Sequence, residues 1–343
     1  MQVAPDARTA REDERAVLAL VRAGLARALP STPLPPGDAI AYPGYHAAAH
    51  RAQRLARRGD TGQLGCLDGE LREIGARATA SAARAARRSE GGPWPVDLPP
   101  AEEHLTASLD RARVSIPPRP DRAAELAALA VTPWGTRHGL VFDDAVRLLD
   151  RVWPEMLAEL GAVVRQVALL DGWGIDGFTD FTVHGVVFVN GARVLPDDRG
   201  PALPAPLPLV EALVHEGTHN RCDAAAVTAP FLADAPGAAG APGAAGAPSE
   251  LLRTPLRTDP RPLTGLFQQV VVLARSVLLY ERLLAAPDAM RGSARAAAVA
   301  RRDLLLAQGL DGCATLDGRR GMLTDHGRAV AAQACQALER AGR

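Results

Sequence analysis

Leu209-Val-Glu-Ala-Leu-Val-His-Glu-Gly-Thr-His-Asn-Arg-Cys-Asp-Ala-Ala-Ala226 is the stretch on which the reading of this chain turns. Apolar residues recur along it at helical intervals, so it is expected to form a helix over 209–226 with Val210, Leu213 and Val214 turned to a core. His215 and His219 stand four residues apart and therefore project from one face about a turn apart, the separation at which two imidazoles can bind a single metal ion. Glu216 lies between them. The bland alternative is a surface helix with three solvated polar side chains.

A catalytic ion usually takes three protein ligands, so the third donor separates the possible chemistries. The metzincin pattern is absent, because Asn220-Arg221-Cys222-Asp223 follows the second histidine where that pattern has a glycine and a further histidine. Glu281 is a candidate from a later helix. Asp223, one turn past His219, is a ligand or, by preference, a partner that orients an imidazole.

Composition removes several function classes. Of 343 residues, 39 are basic and 39 acidic, so no global field draws the chain to nucleic acid or anionic lipid. Every basic residue is arginine, which excludes a Schiff-base enzyme and a lysine-bearing phosphate loop. The charged segment Met1 to Glu14 has no apolar signal-peptide core, and no membrane span is expected, which makes the cytoplasm the default location. Cys66, Cys222, Cys313 and Cys335 are scattered without a CxxC pair and are expected to be free thiols.

Outward from 209–226, helices are expected over 11–28 and 46–88, with breaks at Pro30 to Pro36 and Gly91 to Pro100. A helix with its N-terminus near Asp143 and Asp144 follows, then strands over Val163 to Leu170 and Phe178 to Asn190, the latter ending in an Asn-Gly turn. The Ala-Pro-Gly repeat at 234–250 has nothing to bury and is expected to be disordered. Long helices are expected from Leu263 to Leu284 and from Leu323 to Ala341. The fold class is mostly α with a small β-sheet (α+β), the histidine helix packed beside a second long helix. A domain boundary is placed near 90–125, giving a helical N-terminal region over 1–125 and a metal-binding domain over 126–343.

Further along, Thr254-Pro-Leu-Arg-Thr-Asp-Pro-Arg-Pro262 precedes the long helix, and Leu323-Thr-Asp-His-Gly-Arg-Ala-Val330 stands near the end. With the His-Glu-x-x-His segment upstream, this order resembles the HExxH-type family of 2-oxoglutarate-dependent peptide β-hydroxylases of modified-peptide biosynthesis, over roughly Phe142 to the C-terminus. The resemblance implies an iron(II) site on His215 and His219, 2-oxoglutarate as co-substrate, and hydroxylation of a peptide or peptide-like natural-product precursor. Where that family has His-Gly at the start of the long helix, this chain has Gln268-Gln269, so Gln268 is the corresponding third-ligand candidate. Arg257, Arg261 and Arg275 are candidates to hold the co-substrate carboxylate through paired hydrogen bonds. His184 is weighed as a pocket residue and, by preference, as a structural one. Two alternatives stay open: a zinc metallohydrolase with Glu216 as general base, and a metal-free peptide- or partner-binding protein.

Overall fold

The computed structural model describes residues 1–90, 92–116, 122–195, 203–233, 251–286, 290 and 292–343, apart from the side chains of residues 89 and 257–259. The Ala-Pro-Gly repeat lies outside the described residues. The fold is mostly α with a small mixed sheet and a separate two-stranded sheet. Two compact units make up the chain, one of Ala7–Ala224 and one of Met1–Asp6 with Ala225–Arg343.

The larger unit opens with helix α1 (Ala7–Ala28), whose stripe of Ala10, Val17, Leu18, Val21 and Leu25 is buried. Helices α2 (Pro43–Arg58) and α3 (Thr61–Ser89) follow. The sequence reading runs these two together. They part at Gly59, whose φ of 68° is a left-handed C-cap, and at Asp60, whose carboxylate accepts a hydrogen bond from the Gln63 amide to start the next helix. Leu25, Ile40, Tyr45, Ala52 and Leu67 close the core of this helical layer.

Helices α4 (Glu103–Ser115) and α5 (Ala123–Ala128) lead into strand β1 (Ala130–Thr132). Strands β2 (Gln166–Asp171), β3 (Gly177–Phe178) and β4 (Val186–Asn190) complete a sheet of order β1-β2-β4-β3, in which β2 and β4 are parallel and the outer pairings antiparallel. Every residue of β4 and all but the last of β2 are buried, which is why both read as continuous apolar runs. Ala168, Leu170, Val186 and Phe188 share one face and pack with Leu105 and Leu109 of α4.

Helix α6 (Thr136–Val152) begins two turns before the expected start, leaving Asp143 and Asp144 inside it. It ends at Trp153, and Pro154 occupies the first turn of α7 (Pro154–Val163), where a missing N–H costs nothing. The expected single strand to Asn190 is likewise broken, by a 3-10 turn at Phe181–Val183 and by Gly185 at φ 90°. Asn190 caps the short helix α8 (Gly191–Val194) by accepting from the Ala192 amide, so no hairpin turn forms there.

The boundary expected near 90–125 falls inside this unit. Asp97 pairs with Gln166 beside β2, Trp94 stacks on Phe142 at 5.9 Å, and α4 packs on β1, so the Pro-rich segment joins two halves of one core. The division lies instead between Ala224 and Ala225, within helix α9 (Leu207–Thr228).

The smaller unit holds strands β5 (Leu251–Thr254) and β6 (Arg257–Pro262), then α10 (Leu263–Ala285), α11 (Gly292–Asp317) and α12 (Asp325–Ala341). Among the described residues α10 alone is long and apolar enough to cross a membrane, and 78% of its apolar window is buried inside the protein. Thr324 caps α12 by accepting from the Gly327 amide, and a side chain at Gly327 would run into the Phe231 carbonyl. The Leu-Thr-Asp-His-Gly element is thus a capping device that needs its glycine. Cys313 and Cys335 form a disulfide with Cα atoms 5.8 Å apart, which corrects the free-thiol expectation for that pair. The two cysteines are 22 residues apart in sequence, and α11 and α12 pack against each other, bringing them opposite one another. Cys66, exposed, and Cys222, buried, take no part in a disulfide.

Candidate metal centre on helix α9

Helix α9 sorts its side chains by face. His215, His219 and Asp223 form a half-buried row, while Val214, Glu216, Gly217, Thr218, Asn220 and Arg221 are buried. The rings of His215 and His219 lie 5.3 Å apart and tilted by 59°. Glu216 Oε1 stands 4.0 Å from His215 Nε2, with the glutamate side chain only 11% exposed.

The buried side of the motif is held tightly. Any side chain at Gly217 would collide with Leu160 of α7, so glycine is what lets α7 approach. A side chain at Gly177 of β3 would meet Glu216 Oε1 at 3.1 Å and the Phe188 carbonyl at 3.0 Å, so that glycine makes room for the carboxylate. Asn220 accepts from the Gly185 amide at 3.2 Å and donates to the Val186 carbonyl at 3.0 Å, fixing α9 to the start of β4. Arg221 is 1% exposed and donates to Asp13 at 2.6 Å, with Glu159 at 3.6 Å from its Nε.

A second buried group lies among α1, α2 and the approach to β4. His184, at 0% exposure, is hydrogen-bonded through Nε2 to Glu14 Oε2 at 2.8 Å, and its ring is 5.6 Å from that of His46. Burial opposes ionisation of Glu14, but His184 and Arg165 outweigh it and hold the carboxyl below its usual range. Burial first, and then the neighbouring His184, push His46 down to about 3. The preference for a structural His184 agrees with its complete enclosure.

The remaining candidates lie elsewhere in the chain. Gln268, half-buried, and Glu281 are on α10, and Arg261 is half-buried on β6. Arg257 is also on β6, its side chain outside the described residues. Arg275 is fully buried, donating through Nε to the Val3 carbonyl and through Nη2 to the Gln2 carbonyl, each at 3.0 Å. Two faces of its guanidinium thus tie down the N-terminal segment, a role that competes with clamping a carboxylate.

Two imidazoles on one half-exposed face suit a divalent ion. Among the described residues no set of three His, Cys, Asp or Glu side chains is placed to hold one, so neither Asp223 nor Glu216 completes a triad with the histidines. The sequence reading missed Asn220, Arg221 and Glu14. For the two charged ones a signal existed: Arg221 continues the apolar row Val210, Val214, Gly217, and Glu14 interrupts the stripe of α1, positions where a charge must be paired. Compared with models of known families and with curated proteins, the chain has no match.

Proposed function

We propose that the protein is a metal-dependent tailoring enzyme of the iron(II) and 2-oxoglutarate type, acting on a peptide or peptide-like precursor. The observation that carries metal dependence is the shared half-buried face of His215 and His219, rings 5.3 Å apart, on a helix whose other side is locked by Asn220 and Arg221. The choice of iron and 2-oxoglutarate rests on the resemblance of the Asp259-Pro260-Arg261-Pro262 and Leu323-Thr324 elements. So does the attribution of Arg257 and Arg261 to the co-substrate and of Gln268 to the metal, whereas Arg275, fully buried and bonded to the Gln2 and Val3 carbonyls, is left to its structural role.

In this reading His215 and His219 hold the ion, which when bound would couple oxidative decarboxylation of 2-oxoglutarate to hydroxylation of a substrate carbon. Rigid anchoring of α9 keeps the two imidazoles in register. Glu216 orients substrate from behind His215. A zinc hydrolase is the second reading, favoured by one feature: a largely buried carboxylate 4.0 Å from His215 Nε2 stands where a general base for a bound water is needed.

Protein purified without oxygen and assayed for bound metal and for succinate separates these. Iron, with succinate formed from 2-oxoglutarate by the wild type and lost in His219→Ala, is the expected result. Tight zinc without succinate would move the assignment to the hydrolase, and a metal-free protein whose partner affinity survives His215→Ala would leave a binding role.

A further inference from the structure

A cavity of about 330 Å³ opens to solvent in the smaller unit, at the turn between α11 and α12. Cys313 and Cys335 both line it, both half-buried, with Leu316, Leu323, Arg320 and Arg328 in the same wall. We propose that Cys313–Cys335 is a reversible redox site, which a small thiol reaches through this cavity while the protein stays folded.

The argument begins with access. Exchange requires a thiolate to reach one sulfur of the bridge, so a disulfide sealed in a core is inert and one facing solvent is labile. Here both cysteines face a space large enough for a peptide thiol. Arg320 and Arg328 favour an anionic thiol and stabilise the departing thiolate. Each shares its charge with an aspartate, Arg320 with Asp317 at 2.6 Å and Arg328 with Asp325, so access matters more than field.

The chemistry balances with the thiol as reductant. Its thiolate attacks one cysteine sulfur, forming a mixed disulfide as the Cys313–Cys335 bond breaks and the other cysteine leaves as thiolate. A second thiol attacks the mixed disulfide, giving the oxidised small disulfide and the second protein thiolate. The protein gains two electrons, and the two protons lost by the thiols reach its cysteines through water. The hairpin keeps its shape on reduction because the helices also meet where there is no side chain to part them: a Cβ at Gly309 of α11 would come within 2.7 Å of Leu338 on α12. One at Gly312 would come within 3.0 Å of Val270 on α10.

The test uses full-length native protein, reduced glutathione as the probe, and alkylation of each cysteine followed by mass. Cys66, exposed, reports reagent activity, and Cys222, buried, reports unfolding. Cys313 and Cys335 are expected to become alkylable at least tenfold faster than Cys222, with helical circular dichroism unchanged. Ala332→Trp, which fills the cavity from its wall and spares the bridge, should slow the reaction several-fold. Labelling of Cys313 and Cys335 only in step with Cys222, loss of helix on reduction, or a rate indifferent to Ala332→Trp would each overturn the proposal. No readout involves metal or succinate, so this result stands apart from the function assigned to α9.

Discussion

Gly217 sits between the two histidines and sets the distance between α9 and α7. Adding one methyl there presses on Leu160, itself 1% exposed and without room to retreat. Overpacking of this kind costs about 1–3 kcal/mol, and alanine returns about 1 kcal/mol of helix propensity. Gly217→Ala should therefore lower stability by up to about 2 kcal/mol in urea unfolding, by the difference of those two effects. A stabilised variant would show that α7 gives way freely. The histidine pair and Glu216 were legible at this scale because helical spacing alone puts i and i+4 on one face. The glycine was not, since its reason is a neighbour 57 positions earlier in the chain.

At the scale of elements, α9 is anchored to α1 and α7 by charge. Arg221 reaches Asp13 of α1 at 2.6 Å and Glu159 of α7 at 3.6 Å, all three largely or fully buried. Arg221→Met leaves two enclosed carboxylates without their cation, a change worth about 3–5 kcal/mol. Equilibrium unfolding should show a loss of that size, and Asp13→Asn added to it should recover part. If Arg221→Met costs under about 1 kcal/mol, the triad is screened as surface pairs are and does not hold the helix. Helix existence was readable from period: α1, α9, α10 and α12 lie where expected. Breaks were harder, because α2 and α3 part at a left-handed glycine and α6 and α7 at a Trp-Pro step, each a local backbone feature inside an unbroken apolar period. The 251–262 hairpin and α11 carry too weak an apolar alternation to announce themselves.

Across the whole molecule, ionisable groups are distributed unevenly. Among the described residues the buried carboxylates and imidazoles, namely Asp13, Glu14, His46, Asp97, His104, Glu159, His184, Glu211 and Glu216, all belong to the larger unit. The smaller unit instead carries the disulfide and the buried Arg275. The sequence placed its boundary at the Pro-rich segment because proline marks a break in helix, and it had no means of knowing that the break is enclosed by Trp94, Asp97 and Phe142. Acid should expose the difference. His46, faced by Glu14, His184, His50 and Arg165, is held down to about 3, so below pH 6.5 the unfolded chain binds a proton that the native state refuses. Stability is then lost as pH falls from 6.5 towards 3, by an amount on the order of 3–5 kcal/mol. Glu14, held below its ordinary value of 4.5, adds a further loss as pH drops beneath that value. Hydrogen exchange followed by mass at pH 7 and pH 5 should therefore show peptides of α1, α2 and β4 losing protection first, while α10, α11 and α12 keep theirs. His46→Leu should flatten the change between those two pH values. Equal loss in both units, or a His46→Leu profile that matches the wild type, would mean that the acid sensitivity does not originate in the buried cluster of the larger unit.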